Sequence, residues 1–280
     1  MMRLRGVLAL CASLAVLAGC AHVATPTAGA RYVAMGSSYA AGTALGGIKP
    51  GTPQRCGRSP ESYASIVAER LHLALDDQTC GGATTAHVLG PWSELPPQIN
   101  AVNAQTRLVT VTIGGNDLGY VMNLFAASCR EAEGMTIQGR KIACPRPRPP
   151  VAEEYARLEG SLRKIAQEVR QRAPRARLIF VQYVKLIPDA PCDRLRLSPE
   201  GALATRLIGE GLARVTARAA EAERVEVLAA QDLSREHTAC DAAPWSVGPE
   251  PTGPDANTPW HPTRAGHAAI ADALGAMLRR

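Results

Sequence analysis

The feature that most restricts the fold is an alternation of two hydrophobic periods along the chain. Four short runs, "RYVAMG", "RLVTVTIGG", "RLIFVQYV" and "RVEVLAA", are apolar on successive residues and rich in β-branched side chains. That is the pattern of strands buried on both faces, and "LHLALDDQT" is a weaker fifth candidate. Helical patterns lie between them, clearest over Val151 to Arg172 and Pro199 to Ala222, the second with Ser198 as N-cap and Pro199 at the first helical position. A last helix, "RAGHAAIADALGAMLRR", follows "WHPT" and runs to Arg280. Strands and helices in alternation predict an α/β fold, a doubly wound parallel sheet of about five strands with helices on both faces.

The first twenty residues, "MMRLRGVLALCASLAVLAGC", combine two arginines, an apolar run too short to span a bilayer, and a small-residue end. This reads as an export leader over 1–19. Its ending looks like a bacterial lipobox, which makes Cys20 the lipidation site, at roughly 0.8 kcal/mol of membrane affinity per buried methylene. The expected organisation is therefore leader 1–19, lipid-anchored linker 20–30, and one α/β domain over 31–280. The expected location is exported, on the cell envelope.

The formal charge of +6 falls to near +4 without Arg3 and Arg5, and the arginines alternate with acids rather than forming a stripe. Nucleic-acid binding is not expected. Besides Cys11 and Cys20, six cysteines remain: Cys56, Cys80, Cys129, Cys144, Cys192 and Cys240. An even number in an exported chain argues for disulfides, with connectivity open, and no spacing matches a metal site. Two of them, Cys56 and Cys144, sit in the proline-rich irregular segments "IKPGTPQRCGRSP" and "KIACPRPRPPV", which read as loops pinned over a scaffold.

Open parallel sheets bind ligands beyond the carboxyl ends of their strands. Four clusters fall there: Gly36-Ser37-Ser38, "CGGATT" with Gly81 and Gly82, "GGND" from Gly114 to Asp117, and "WHPTRAGH" with His261. Acyl transfer needs a nucleophile, a base and donors for an oxyanion. A serine supplies the first. His261 can be the base, placed by Pro262 at a helix start whose positive dipole end keeps the imidazole neutral. Gly82 N–H, the Asn116 amide and Ser38 N–H can bind the oxyanion. The tryptophans Trp92, Trp245 and Trp260 lie in loops on the same side and can wall an acyl or leaving-group pocket. His267 and His237 are expected to pack rather than react.

In this order, the four blocks resemble the SGNH or GDSL hydrolases, and they span nearly the whole chain from residue 31 to the last helix. The resemblance implies a three-layer, flavodoxin-like sheet, with Ser38 as nucleophile, His261 as base, and Gly82 and Asn116 completing the oxyanion hole. The chain departs from the family at two points. Ser37 stands where the family usually has aspartate. Thr258 stands where the triad aspartate usually lies, three residues before the histidine. An exported subgroup of similar esterases lacks that acid and uses a backbone carbonyl there, which points to the Thr258 C=O; Asp255 and Asp232 are the possible acidic stand-ins. The same subgroup implies the pairs Cys56–Cys80, Cys129–Cys144 and Cys192–Cys240. "GSSYA" also approaches the α/β-hydrolase elbow, but that elbow follows several strands, whereas Ser38 follows one.

The reading that results is a serine esterase or lipase acting through an acyl-enzyme, without metal or organic cofactor. Its partners are an ester substrate, lipid or acylated glycan, and the membrane through Cys20; the chain is expected to be monomeric. Two alternatives are a polysaccharide O-acetyl esterase and a noncatalytic envelope lipoprotein that binds glycan or lipid.

Overall fold

A computed structural model describes residues 25–130, 134–137, 140–251 and 258–280. The proposed leader, Cys20 and Asp255 lie outside these residues. The chain runs β1 (Arg31–Gly36), α1 (Ser38–Ala41), α2 (Tyr63–Arg70), β2 (Ala74–Asp77), α3 (Thr85–Leu89), β3 (Thr106–Thr112) and α4 (Tyr120–Ser128). A hairpin of β4 (Met135–Ile137) and β5 (Arg140–Ile142) follows. Then come α5 (Ala152–Arg172), β6 (Arg177–Val181), α6 (Pro199–Glu223), β7 (Glu226–Leu228), α7 (Ala230–Leu233) and α8 (Arg264–Leu278).

The main sheet has five strands in the order β2-β1-β3-β6-β7, every neighbouring pair parallel. The weak candidate "LHLALDDQT" is β2, and its weakness has a physical cause: it is an edge strand, partly exposed along its length. The central strands β1, β3 and β6 are buried almost throughout, as their unbroken apolar runs require. Each fully buried aliphatic side chain there contributes roughly 1.5–3 kcal/mol.

The helices bury one stripe each. Leu158, Leu162, Ile165, Ala166 and Val169 recur at helical spacing and place α5 against the sheet and α6. Ser198 caps α6 by accepting the Gly201 N–H, with Pro199 first in the helix. The helices α5 and α6 pack on each other, as do α2 and α8. Right-handed crossovers put these two pairs on opposite faces of the sheet.

Strand order turns back between β1 and β3, which makes the carboxyl edge of that pair the switch point where ligands bind such sheets. Register aligns Gly36 with Thr112, so the turns after both strands emerge side by side. Three disulfides, Cys56–Cys80, Cys129–Cys144 and Cys192–Cys240, tie down the connections. They are the pairs that the subgroup resemblance implies.

Candidate active site

The turn after β1 separates the two serines. Gly36 has φ +141°, and a Cβ there would stand 2.3 Å from the Thr112 carbonyl oxygen, so only glycine fits. Its N–H donates to Gln98 Oε1 (2.7 Å), and Gln98 Nε2 donates back to its carbonyl (3.1 Å). Ser37 N–H donates to Thr112 O (3.0 Å), and its buried hydroxyl meets the Tyr183 hydroxyl at 2.8 Å. Ser37 therefore points into the scaffold. Ser38 opens α1 and is partly exposed at the sheet edge.

His261 meets Ser38 across the switch point, Nε2 lying 2.8 Å from Ser38 Oγ. Its Nδ1 lies 2.8 Å from the Pro259 carbonyl oxygen. A carbonyl only accepts, so Nδ1 carries the hydrogen and Nε2 is left as the acceptor for the serine hydroxyl. Burial pushes the His261 pKa down to about 4, partly opposed by the Pro259 hydrogen bond. The imidazole is thus neutral near pH 7. Burial, rather than a helix dipole, is the main cause: Thr263 caps α8 by accepting the Gly266 N–H (3.0 Å), so Pro262 lies ahead of the cap and not in the first turn.

The carbonyl expected at Thr258 is instead that of Pro259, one residue nearer the ring. Trp260 adopts φ +61°, a left-handed conformation unusual for a bulky residue, and this turn folds the Pro259 carbonyl back towards Nδ1. The alternative Asp232 is exposed and pairs with Arg235 at 3.9 Å. Trp260 itself is fully buried, which removes it from the expected pocket wall; its side chain fills the core beneath the histidine loop. Trp245 stacks on His237 with ring centroids 4.1 Å apart. Trp92 stands at the site, its ring edge 3.3 Å from where a Cβ on Gly82 would lie. It is held between the His87 ring (4.1 Å) and the Arg55 guanidinium (4.2 Å).

Gly82 has φ +83°. Neighbouring Gly81 and Ala83 donate their N–H groups to Cys56 O (2.9 Å) and Cys80 O (3.0 Å), whereas those of Gly82 and Ser38 have no acceptor among the described residues. Asn116 spends one amide hydrogen on Ala83 O (2.9 Å), which orients the side chain and leaves the other hydrogen to donate. Asp117 accepts from Thr85 N–H at 3.1 Å and from its hydroxyl, and burial raises its pKa; it anchors α3 and has no contact with His261. His237 donates its Nδ1–H to the nearby Ala243 O (2.8 Å). His267 is fully buried, taking the Tyr63 N–H on Nδ1 at 3.1 Å.

Gln98, Tyr39 and Tyr183 also meet at the site, and none of them belongs to the four sequence blocks as a candidate. Tyr39 is signalled only by its place beside Ser38, and the other two by nothing local.

A serine paired with a neutral imidazole, set beside unused N–H donors at the carboxyl edge of a parallel sheet, is the apparatus of enzymes that transfer acyl groups. Residues 34–269 match the model of the GDSL-like Lipase/Acylhydrolase family, and the chain belongs to that family of carboxylic ester hydrolases. It is 34% identical over 228 residues to Lipase 2 of Streptomyces coelicolor, covering 78% of this chain and 75% of that one. It is 28% identical over 260 residues to a lipase of Streptomyces rimosus, covering 91% and 90%. Among solved structures, phospholipase A1 from Streptomyces albidoflavus superposes with a TM-score of 0.69 at 25% identity, over 89% of this chain and 99% of that one.

Proposed function

We propose that the protein is an exported, lipid-anchored serine esterase that acts on lipid esters through a Ser38–His261 dyad. The observation that carries the reading is the 2.8 Å approach of Ser38 Oγ to a His261 Nε2 whose opposite nitrogen is tied to Pro259 O. Ser38 Oγ attacks the ester carbonyl carbon as His261 takes its proton. The oxyanion accepts hydrogen bonds from the N–H groups of Ser38 and Gly82 and from the Asn116 amide. The imidazolium then protonates the leaving alkoxide, and an acyl-enzyme on Ser38 remains. Water, deprotonated by the same ring, attacks the acyl carbon and frees the acid. A neutral carbonyl stabilises the transient imidazolium less than a carboxylate would, so the oxyanion donors carry more of the stabilisation.

Lipid esters are favoured because the relatives over most of the chain bear the names lipase and phospholipase A1. The disulfides support export, since they persist in oxidising compartments. In this reading residues 1–19 are the leader, Cys20 carries the lipid, 20–30 are the linker and 31–280 the catalytic domain. Fatty-acid release from phospholipid and triglyceride, measured against acetate release from acetylated glycan, tests the substrate class. Acetate release alone would overturn it. Cys20→Ala should move the protein from the membrane fraction to the soluble one; unchanged partition would refute the anchor.

A further inference from the structure

Among the described residues no carboxylate reaches His261, and apart from Ser38 Oγ its ring nitrogens are held by one backbone carbonyl, that of Pro259. A second restraint comes from the residue next to the nucleophile. Tyr39 is buried, and its hydroxyl donates to the carbonyl of Trp260, the residue immediately before His261. Its ring also packs against the imidazole, with centroids 4.7 Å apart. On the other side it packs against Tyr183 at 4.2 Å. The Tyr183 hydroxyl is itself fixed, meeting Ser37 Oγ at 2.8 Å and accepting the Gly115 N–H at 3.2 Å.

These contacts form one connected path. It starts at Gly115, beside the oxyanion residue Asn116, and runs through Tyr183 and Tyr39 to the turn that presents His261. Tyr39 grips that turn where it needs holding, because Trp260 sits at φ +61° and a relaxed backbone there would carry the Pro259 carbonyl away from Nδ1.

We propose that Tyr39 is the positioning residue of the dyad, fixing the Pro259–His261 turn through the Trp260 carbonyl and the imidazole through its ring, in place of the missing acid. This role rests on the Ser38–His261 reading. It follows that the nucleophile's own helix sets the orientation of its base.

The test is Tyr39→Phe, which keeps the ring and removes only the hydroxyl. Turnover of a short p-nitrophenyl ester is measured per active site titrated with a fluorophosphonate, so unfolded protein is not counted. The Nδ1–H proton of His261 is followed as a low-field NMR resonance. Leaving the buried Trp260 carbonyl unpaired is expected to lower kcat roughly 10- to 100-fold, with KM changed by less than about twofold and the resonance broadened or lost. A kcat per titrated site within about twofold of wild type, or a loss of kcat with the resonance intact, overturns the proposal. Turnover that survives Ser38→Ala or His261→Ala overturns the dyad and this role with it. Turnover lost in those variants but kept in Tyr39→Phe overturns this role alone.

Discussion

Two buried histidines make the fold acid-sensitive in a window where surface groups would not. His261 is 5% exposed with its pKa pushed down to about 4, and His267 is 0% exposed with its pKa pushed down to about 3, both mainly by burial. Repulsion from His261 adds to the effect at His267. In the unfolded chain both titrate near 6.5. As pH falls through that value the unfolded state takes up protons and the folded state does not. The stabilisation is complete above 6.5 and is lost on acidification towards each folded value.

Between 6.5 and about pH 5 the linkage amounts to about 1.5 kcal/mol for each ring, or about 3 kcal/mol together. His267→Asn separates the two, because the Asn Oδ1 can take the Tyr63 N–H that Nδ1 now accepts, and the side chain does not titrate. Urea unfolding followed by circular dichroism across this window should show the wild type losing about 3 kcal/mol and the variant about half of it. Parallel curves for the two proteins would refute the assignment of a neutral, acid-resistant ring to His267.

Other consequences are local. Asn116→Ala removes one oxyanion donor and should lower kcat by about 10²- to 10³-fold with little change in thermal midpoint; a KM effect alone would show that Asn116 binds substrate without stabilising the transition state. Gly82→Ala should lose activity as well, because alanine at φ +83° is strained and its Cβ would press on Trp92 at 3.3 Å; wild-type kcat in that variant would contradict the geometry. Of the disulfides, Cys192–Cys240 closes the longest loop, with a separation of 48 against 24 and 15. Double substitution to serine there should cost roughly 4 kcal/mol and the other two pairs roughly 3 kcal/mol each; an equal or inverted ranking by denaturation would argue against the loop-entropy account.

Much of this molecule is legible in its sequence because the informative patterns are short-range. Unbroken apolar runs identify β1, β3 and β6, and the cap at Ser198 marks where α6 begins. The site blocks follow from strand ends once the sheet is parallel. What could not be read depends on backbone hand or on distant partners. Whether Thr258 or Pro259 faces the ring is decided by a left-handed Trp260, and nothing in a tryptophan's identity announces positive φ. The same turn puts that indole in the core instead of the pocket wall. Gln98, 62 residues from Gly36, and Tyr183, 146 from Ser37, come together only through the topology.

In the proposed mechanism Ser38, not Ser37, is the nucleophile and His261 activates it. Mass spectrometry of the protein treated with a fluorophosphonate tests this most directly. A single adduct is expected on Ser38, absent in Ser38→Ala, strongly slowed in His261→Ala, and formed in Ser37→Ala. An adduct on Ser37, or labelling of Ser38 at an unchanged rate without His261, would contradict it.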